Sequence, residues 1–555
     1  MYNLLVGGAA GQGVETTAAI LERLFKDAGC GVFSMRDLMS RIRGGHNFTR
    51  IRFGSEVPTS HSVHLDGVIA MNEETVALHL DELREGGFVI CDDKVADQDP
   101  RLIKMDMDGI AKGLGNVRAA GSVGIGAALK LFGFEFDAAH AEAAFGTTLR
   151  ADLVEINVRA VKAGYDAVEA RFERPGGNFQ DNMLVSGNAA IALGALAGNM
   201  RFYSAYPMSP STGILVFLSQ TSKETGIVVE QAEDEVAAIN MALGASFAGA
   251  RAMTGTSGGG FSLMVEGLGL SGMGEIPLVL VDAQRPGPTT GLPTRTEQSD
   301  LLFMISASQG EFPRMVIGVR HHLDAYEQTI RALNIAEKYQ IPVILLTDQY
   351  LADATATVRV PDAAAAEIRE PDPIPDGEYL RYRYTESGIS PRIIPGDPRG
   401  YAAVDSDEHD ESGRIIEDAE TRIRMMDKRM RKAELLREEL QEPEVLGDGN
   451  AEVLLIGWGT MYGPLREAIT LLNAQGGARY GALVFGDVWP LPTGTLLEKA
   501  KRAKTLINVE QNFTGQLGLL IRQQTGIAMD AKVLRYDGRQ MSGEEIAERV
   551  REGGH

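Results

Sequence analysis

Residues 3–27, which read NLLVGGAAGQGVETTAAILERLFKD, decide the fold class. The short apolar run from Asn3 to Val6 predicts a strand, and the glycine-rich segment from Gly7 to Gly13 predicts a tight turn. In the helix predicted from Val14 to Asp27, apolar side chains recur at helical spacing and give it one buried face. A strand, a glycine turn and a helix in this order predict an α/β fold.

The chain continues with the same alternation. Apolar runs at 67–70 and 87–91 predict buried strands between helical segments. Such alternation is typical of a mainly parallel sheet covered by helices. The turn-rich segment ERPGGNFQDN then predicts that this first domain covers residues 1–180.

A second α/β domain is predicted over residues 181–370. Its predicted buried strands begin at Ile227, Pro277 and Pro342, and an Ala- and Gly-rich helix is predicted from Val236 to Ala250. Residues 371–447 form an irregular connector that is longer than an ordinary loop, so we expect it to wrap over a surface. The last domain is predicted over residues 448–555, with a strand at its start.

One helix is predicted inside the connector, from Glu417 to Leu440. Residues three or four apart along it are apolar and predict its buried face: Ala419, Ile423, Met426, Met430, Ala433, Leu436 and Leu440. We expect this amphipathic helix to pack on a domain or on a partner.

Length and composition limit the class of protein. The 555 residues suggest three or four domains, and 44% apolar residues exclude a disordered chain. No apolar run approaches the roughly 18 residues that span a bilayer. The first residues lack the basic segment of a signal peptide, so we expect a soluble cytoplasmic protein. A formal charge of −22 disfavours nucleic-acid binding.

The glycine turn near the start is a candidate phosphate site. Backbone N–H groups in such a turn approach a phosphate closely, and the following helix adds a favourable dipole, which makes Gly11 and Gly13 the candidate contacts. The spacing is G-x-x-G-x-G and not the G-x-G-x-x-G of dinucleotide sites, so NAD is not favoured over other phosphate-bearing ligands. A packing turn that binds nothing remains the alternative.

Two other motifs resemble cofactor or metal sites. Gly447-Asp448-Gly449 with Asn473 resembles the sequence that holds Mg²⁺ and thiamine diphosphate, but a working site follows a buried strand, and here the predicted strand comes after the motif. His61 and His64 would point to opposite faces of a strand, with no third ligand nearby. We therefore predict no metal site in this chain.

Four segments of the second domain carry the strongest signals for a binding site. A turn with three hydroxyl groups spans Tyr206 to Thr212. Four acidic residues lie where the strand that begins at Ile227 meets the Ala-rich helix. Residues 254–260 and 282–294 follow predicted strands or helices. In an open parallel sheet such loops line the ligand crevice. Arg285 is suited to bind a carboxylate through its planar fork, with hydroxyl groups of Thr290 or Thr294 beside it.

Taken together, these segments resemble the 2-oxoacid:ferredoxin oxidoreductases. The segments that carry the resemblance are GGAAGQG, RGGHN, YPMSPST, EDEVAAINMALGAS, TGTSGGG, DAQRPGPTTGLPTRTEQ, SDEHDE and VEQNFTGQL. The match is to the α subunit with the γ domain fused in front. It implies three α/β domains, namely a γ-like domain, a thiamine pyrimidine-binding domain and a transketolase-C-like domain, together with the wrapped connector.

The resemblance also implies cofactors and partners. Thiamine diphosphate would lie between two chains, with the aminopyrimidine on this one. A separate β chain would bring the diphosphate site, Mg²⁺ and a [4Fe–4S] cluster, in agreement with the presence of only Cys30 and Cys91 here. CoA would be the co-substrate and ferredoxin the electron acceptor. The implied assembly is a dimer of α–β pairs.

Site residues follow from the resemblance by position. It places the glutamate that bonds the pyrimidine nitrogen at Glu235, with Glu233 as the second candidate. Tyr206 and Pro207 would contact the cofactor.

The substrate residues come from the same comparison. The resemblance assigns Ser209 to the substrate turn, and Arg285 with Thr294 to the carboxylate clamp. Met208 and Ser209 stand where many relatives read Y-P-I-T-P, a variant that implies 2-oxoglutarate as substrate. The γ-like domain would contact CoA, and His46 on its glycine loop would face the active site.

Alternatives of other kinds stay open at this point. Pyruvate, branched-chain 2-oxoacids and indolepyruvate would use the same chemistry. A nicotinamide dehydrogenase would need the N-terminal glycine turn to bind NAD. A non-catalytic CoA-binding module would bind CoA without any dependence on thiamine.

Overall fold

The structure is a computed structural model that describes residues 1–39, 44–474 and 476–554. The chain forms two compact units. The first contains Met1–Ser186, Asp353–Val360 and Ser542–Glu544, and the second contains the rest of the chain. Within the described ranges, no helix combines the length and the apolar character that crossing a membrane requires. The four domain limits given above remain predictions.

The first unit contains one mixed sheet and six helices among the described residues. Its strands are β1 Tyr2–Ala10, β2 Gly31–Leu38, β3 Gly44–Gly54, β4 Leu65–Ala70, β5 Leu83–Asp92, β6 Leu102–Met105, β7 Met183–Ser186 and, from later in the chain, β14 Thr355–Val358. Its helices are α1 Val14–Asp27, α2 Glu73–His79, α3 Met107–Gly113, α4 Ala120–Leu131, α5 Ala138–Gly146 and α6 Ala151–Asp166.

The strand order of this sheet is β6-β5-β4-β1-β3-β2-β14-β7. The pairs from β6 to β1 are parallel, whereas all pairs from β1 to β7 are antiparallel. The prediction of a mainly parallel sheet is therefore wrong for half of the sheet. β2 and β3 pair in an antiparallel arrangement, and β14, which pairs with β2, lies more than 300 residues later in the chain, so local periodicity does not reveal it.

The N-terminal order and helix are confirmed, whereas the turn is shorter than predicted, because β1 extends through Gly7–Ala10. β1, the glycine turn and α1 follow one another, and α1 begins and ends at the predicted residues. Gly11 and Gly13 adopt positive φ angles of 94° and 85°, which favour glycine over residues with a side chain. Ala18, Leu21 and Phe25 of α1 are fully buried.

The second unit contains two sheets. The strands are β8 Phe202–Ala205, β9 Val228–Gln231, β10 Ala252–Thr256, β11 Leu278–Gln284, β12 Met315–Gly318, β13 Pro342–Asp348, β15 Glu444–Gly447, β16 Val453–Trp458, β17 Tyr480–Phe485, β18 Asp487–Trp489, β19 Thr505–Glu510 and β20 Ala531–Leu534. The α/β class predicted from the sequence is thus confirmed over the three sheets.

The remaining helices follow in chain order. They are α7 Gly187–Ala197, α8 Thr212–Thr225, α9 Glu235–Phe247, α10 Gly258–Met273, α11 Leu301–Ser306, α12 His322–Tyr339, α13 Gln349–Asp353, α14 Ala419–Leu436, α15 Tyr462–Ala474, α16 Gly494–Ala500, α17 Gln516–Thr525 and α18 Gly543–Glu552.

The larger sheet of this unit has the order β18-β12-β13-β11-β10-β8-β9. All its pairs are parallel except the one with β18. The strand near Ile227 is β9, and it is not buried as predicted, because it lies at the edge of the sheet and pairs on one side only; Val228 is 55% exposed. β11 and β13 are buried along their whole length.

The smaller sheet has the order β15-β17-β16-β19-β20. A short strand, β15, does precede Gly447-Asp448-Gly449, contrary to the prediction. It is a half-exposed, antiparallel edge strand, and Asp448 accepts a hydrogen bond from the backbone N–H of Asn450 within the turn. Asn473 bonds the backbone of Tyr480 on β17. Both residues therefore have local structural roles.

The connector contains the predicted helix as α14, but its buried face differs from the prediction. Ile423 is 61% exposed, whereas Lys428 and Lys432 are buried and contact the buried carboxylate of Glu275. Charged side chains occupy the buried stripe because a carboxylate faces them. Periodicity of apolar residues alone does not detect such a stripe.

Candidate active site

Four loops of the second unit meet at the carboxyl edge of its larger sheet. They follow β8, β9, β10 and β11, which are neighbouring parallel strands. Because carboxyl ends of parallel strands lie at one edge, these loops lie close together, and ligands of open α/β sheets bind at this edge. The four loops are the segments singled out in the sequence.

Glu235 is the most unusual side chain of this edge. It is the first residue of α9, directly after the N-cap Asp234, whose carboxylate accepts a hydrogen bond from the N–H of Ala237 at 2.6 Å. Glu235 is only 4% exposed, and within the described residues its Oε1 atom has no hydrogen-bond partner. An unpaired buried acceptor costs free energy, so it marks a functional position.

The glycines at the start of α10 leave room for this carboxylate. A Cβ atom added to Gly260 would lie 2.5 Å from Oε1 of Glu235 and would also clash with Oγ1 of Thr256. A Cβ atom on Gly258 would lie 2.5 Å from Oδ2 of Asp300. The glycine run therefore lets two carboxyl groups approach the first turn of a helix, whose N-terminal dipole favours negative charge.

The other predicted cofactor residues differ in burial. Glu233 is exposed, and Tyr206 is 39% exposed, whereas Pro207 is half-buried. Of the two glutamates considered, Glu235 is the one that lies in the pocket of Thr256 and Gly260.

Arg285 follows β11 directly and is 8% exposed. Its Nη1 atom donates a 2.7 Å hydrogen bond to the carbonyl oxygen of Ser209, so the structure brings these two predicted residues together. Burial lowers the pKa of Arg285, and the charges of Asp282 and Asp300 partly offset this effect.

The two threonines lie further from the buried groups. Thr290 is exposed on the loop that follows Arg285, and Thr294 is half-buried. The carbonyl oxygen of Thr289 approaches Gly259, where a Cβ atom would lie 3.2 Å from it.

Two acidic residues of this edge were missed by the sequence reasoning. Asp282 on β11 is fully buried, and neither of its carboxyl oxygens accepts a hydrogen bond from an N–H or O–H group of the described residues. Its carboxyl group is within hydrogen-bonding reach of that of Asp300. The available signal was an aspartate in the middle of an otherwise apolar strand, Leu278–Gln284, where an acid is costly without a partner.

Burial controls the protonation of this pair. Burial, followed by the charge of Asp300, raises the pKa of Asp282 well above its usual value. Burial also raises the pKa of Asp300 to about 6, although the hydrogen bond with Asp282 and the charge of Arg285 lower it. Two neighbouring carboxyl groups in a buried site do not both ionise, so the pair retains a proton.

The motif VEQNFTGQL of the smaller sheet has a structural role in this chain. Glu510 is fully buried and accepts hydrogen bonds from the indole of Trp458 at 3.1 Å and from the N–H groups of Leu517 and Gly518. It therefore fixes the start of α17. The backbone N–H of Gln298 donates to the carbonyl oxygen of Gln511, and the side-chain amide of Asn512 donates to the carbonyl oxygen of Gln298. These bonds join the loop after Arg285 to this motif.

The glycine turn of the first unit borders a cavity of about 460 Å³. Gly11 and Gly13 line it together with Thr16, Thr17 and Arg118. The N-cap of α1, Gly13, provides no side-chain cap for the backbone N–H groups of the first turn.

His46 lies in a hydrogen-bonded series of side chains in the first unit. Its Nε2 atom is 2.8 Å from Nε2 of His79, whose Nδ1 atom is 2.6 Å from Glu82, and Arg50 bonds both oxygens of Glu82. Burial, and then the neighbouring His79, lowers the pKa of His46. The sequence reasoning missed His79 and Glu82, because contacts 33 residues apart leave no local pattern. Residues 40–43, which include the first residue of the RGGHN segment, lie outside the described residues.

Two family models match the chain. Residues 193–428 match the family described as "Pyruvate flavodoxin/ferredoxin oxidoreductase, thiamine diP-bdg", and residues 3–167 match "Pyruvate ferredoxin/flavodoxin oxidoreductase".

Curated relatives and solved structures agree with these matches. The 2-oxoacid:ferredoxin oxidoreductase subunit alpha of a Sulfolobus species is 34% identical over 98% of this chain and 95% of its own length. The 2-oxoglutarate oxidoreductase subunit KorA of Mycobacterium tuberculosis is 35% identical over 67% of this chain and 58% of its own length. The 2-oxoglutarate:ferredoxin oxidoreductase of Magnetococcus marinus, solved with 2-oxoglutarate, coenzyme A and succinyl-CoA bound, is 32% identical, with a TM-score of 0.92 over 99% of both chains.

Proposed function

Because the chain belongs to the 2-oxoacid:ferredoxin oxidoreductase family as an α subunit, we propose that it acts on 2-oxoglutarate. The proposed reaction interconverts 2-oxoglutarate, CoA and oxidised ferredoxin with succinyl-CoA, CO₂ and reduced ferredoxin. The observation that carries the proposal is the buried carboxyl group of Glu235, whose Oε1 atom has no partner within the described residues.

The residues around Glu235 fit the aminopyrimidine of thiamine diphosphate. A ring nitrogen would satisfy Oε1, and Gly260 keeps the approach to it free of a side chain. Thiamine diphosphate, when bound, supplies the carbon nucleophile that attacks the 2-oxo group. Glu235 would hold the proton shared with the pyrimidine nitrogen, and the buried pocket would keep water from that proton.

Arg285 is the proposed clamp for the carboxylate next to the 2-oxo group. Its Nε atom is buried without a partner in the described part of the chain, and its bond to the Ser209 carbonyl fixes the side chain at the sheet edge. The choice of 2-oxoglutarate is supported by Met208 and Ser209 in the turn after β8, and by the names of the relatives that act on this substrate. Pyruvate, branched-chain 2-oxoacids and indolepyruvate are the alternatives.

The proposed assembly needs a second chain. A β subunit would bring the diphosphate site with Mg²⁺ and the [4Fe–4S] cluster, since the two cysteines of this chain are both buried and too few for a cluster. Ferredoxin would accept the electrons, and two α–β pairs would form the complex. We place the reaction in the cytoplasm.

CoA is the proposed acyl acceptor. The cavity beside Gly11 and Gly13 is suited to a phosphate group of CoA, because helix N–H groups and Arg118 border it. We propose His46 as a further substrate contact in the first unit.

Anaerobic reduction of a viologen dye tests this function. The chain is assayed with and without its partner subunit, with thiamine diphosphate, Mg²⁺ and CoA, on 2-oxoglutarate and on pyruvate. We expect activity only when both chains are present, and faster reduction with 2-oxoglutarate. Faster reduction with pyruvate would contradict the substrate, and an inactive complex with an intact cluster would contradict the function and return attention to a CoA-binding role.

Replacement of Arg285 by Lys is expected to raise the apparent KM for the 2-oxoacid. Lysine presents a point charge in place of a planar fork, so the loss of one directed hydrogen bond to a carboxylate costs about 1.5–3 kcal/mol, or roughly 10–100-fold in KM. Steady-state kinetics of the complex at saturating CoA provide the measurement. An unchanged KM would assign the carboxylate to another group.

A further inference from the structure

Asp282 and Asp300 form a buried acid pair next to Arg285. Asp282 lies on the central strand β11, where its neighbours in register are Thr256 on β10 and Leu346 on β13, so neither adjacent strand offers it a charge. The side chain is fully buried. Neither of its carboxyl oxygens meets a hydrogen-bond donor among the described residues, and the neighbouring acid, Asp300, has an Oδ2 atom that is equally without one.

The side chain of Asp300 does not cap the helix that it precedes. It occupies the N-cap position of α11, yet its side chain makes no capping hydrogen bond there. An aspartate at this position usually bonds the helix backbone and contributes about 1 kcal/mol. Instead, Gln284 accepts the N–H of Asp300 at 3.0 Å, and the carboxyl group faces Gly258 at the start of α10. Gln284 lies two positions after Asp282 on the same face of β11, so its bond to the backbone of Asp300 holds the two acids in one neighbourhood.

A hydrogen bond between the two carboxyl groups would require a proton. An ionised carboxylate is only an acceptor, so two of them bond each other only when one carries a hydrogen. With one proton, the pair has one negative charge and balances the single positive charge of Arg285. Without it, the three side chains would carry a net negative charge in a buried site, which is strongly unfavourable.

The guanidinium of Arg285 is not engaged in an ion pair. Within the described residues it forms none, and its Nε atom has no hydrogen-bond partner. The half-buried Arg331 of the same unit shows the contrast, because it donates to both oxygens of Asp487 at 2.6 and 2.8 Å. Asp282 and Asp300 are near enough to act on Arg285 electrostatically without occupying its fork.

We propose that Asp282 and Asp300 are positioning residues for Arg285, and that they share one proton so that its guanidinium remains free to bind the carboxylate of the 2-oxoacid. The inference rests on the proposed function of Arg285 as the substrate clamp. Ionisation of the pair adds a second negative charge that competes with the substrate for the guanidinium. The pair therefore makes substrate affinity depend on pH.

Other titratable groups around the pair have their own environments. Glu297, on the same loop as Asp300, has a pKa raised to about 7, chiefly by burial. Glu235 faces Gly260 on α10, and Asp348 at the end of β13 accepts hydrogen bonds from Thr460 and from the backbone N–H of Leu351. Asp348 is a matched control, because it is also a buried acid at this sheet edge, but it has donors of its own.

The test compares the pH dependence of KM for 2-oxoglutarate in the complete complex. Wild type is expected to show a KM that rises up to about tenfold per pH unit once the shared proton is lost, with little change in kcat. Asp300→Asn and Asp282→Asn each supply a permanent N–H donor, so their KM is expected to stay within about twofold over the same range. Asp348→Asn is expected to keep the wild-type slope. Equal slopes in wild type and both Asp variants would overturn the proposal.

An infrared titration of the wild-type complex tests the same proton without turnover. We expect the carbonyl band of a protonated carboxylic acid at neutral pH, lost in both Asp282→Asn and Asp300→Asn and retained in Asp348→Asn. Absence of this band in wild type would refute the shared proton even if neither variant folds. An inactive wild-type complex that shows the band would instead contradict the proposed function, while the shared proton of Asp282 and Asp300 would remain supported.

Discussion

Replacement of Glu235 by Gln is expected to abolish turnover while the chain stays folded. The amide keeps the size of the side chain but cannot share a proton with the pyrimidine nitrogen, and loss of a positioned acid–base group typically lowers the rate by about 10²–10⁴-fold. Because Oε1 of Glu235 has no partner within the described residues, the substitution breaks no hydrogen bond to that atom. The viologen assay measures the rate, and thermal unfolding measures stability.

Two neighbouring glutamates provide the comparison. Glu230→Gln on the edge strand β9 changes an exposed side chain and is expected to leave rate and stability as in wild type. Glu233→Gln distinguishes the two glutamates considered for the role. A rate like that of wild type in Glu235→Gln, with a loss in Glu233→Gln, would move the role to Glu233 and away from the buried pocket.

Local sequence patterns predicted the parts of the fold that depend on neighbouring residues. The helix after β1 was predicted to the residue, although β1 itself extends four residues into the predicted turn. In this segment apolar side chains alternate with turn residues over a short distance, and the backbone follows that pattern.

Long-range pairings were not predictable in this way. β14 completes the first sheet beside β2, although more than 300 residues separate the two strands, and β18 pairs with β12 of a different sheet from its sequence neighbours. Both strands are short, with three or four residues, so their periodicity is weak. The buried cations of α14 were missed for a related reason, since their partner Glu275 lies about 150 residues earlier.

The candidate site likewise contains residues that the sequence predicted and residues that it did not. Resemblance of motifs pointed to Arg285, Ser209 and Glu235, and the structure places Arg285 against the Ser209 carbonyl and Glu235 in a buried pocket. Asp282 was not singled out, because it opened a longer motif whose glycines, prolines and hydroxyls carried the signal, and Asp300 lies just beyond the end of that motif. Burial without a donor distinguishes them, and burial is a property of the packed chain rather than of spacing.

Replacement of Gly260 by Ala is expected to remove most activity by displacing Glu235. The new Cβ atom would lie 2.5 Å from Oε1 of Glu235, closer than packed atoms come, and Thr256 blocks its other side. Overpacking of this kind costs about 1–3 kcal/mol, and a shift of about 1 Å in a catalytic group lowers the rate by roughly 10²-fold. Alanine also favours the helix, which offsets part of the cost in stability. Rate and unfolding are measured in the same complex as for Glu235→Gln.

Two controls make this prediction specific: replacement of a glycine that has no close neighbours, and a double variant. Gly244 lies in α9, the helix that carries Glu235, and a Cβ atom there would meet nothing within 4 Å, so Gly244→Ala is expected to raise stability by about 0.5–1 kcal/mol. If Gly260 acts only by leaving room for the carboxyl group, adding Gly260→Ala to Glu235→Gln causes no further loss of rate, because both changes remove one interaction. A loss in the double variant equal to the product of the two single losses would show that Gly260 serves the active site by another route, such as the helix start that also receives Asp300.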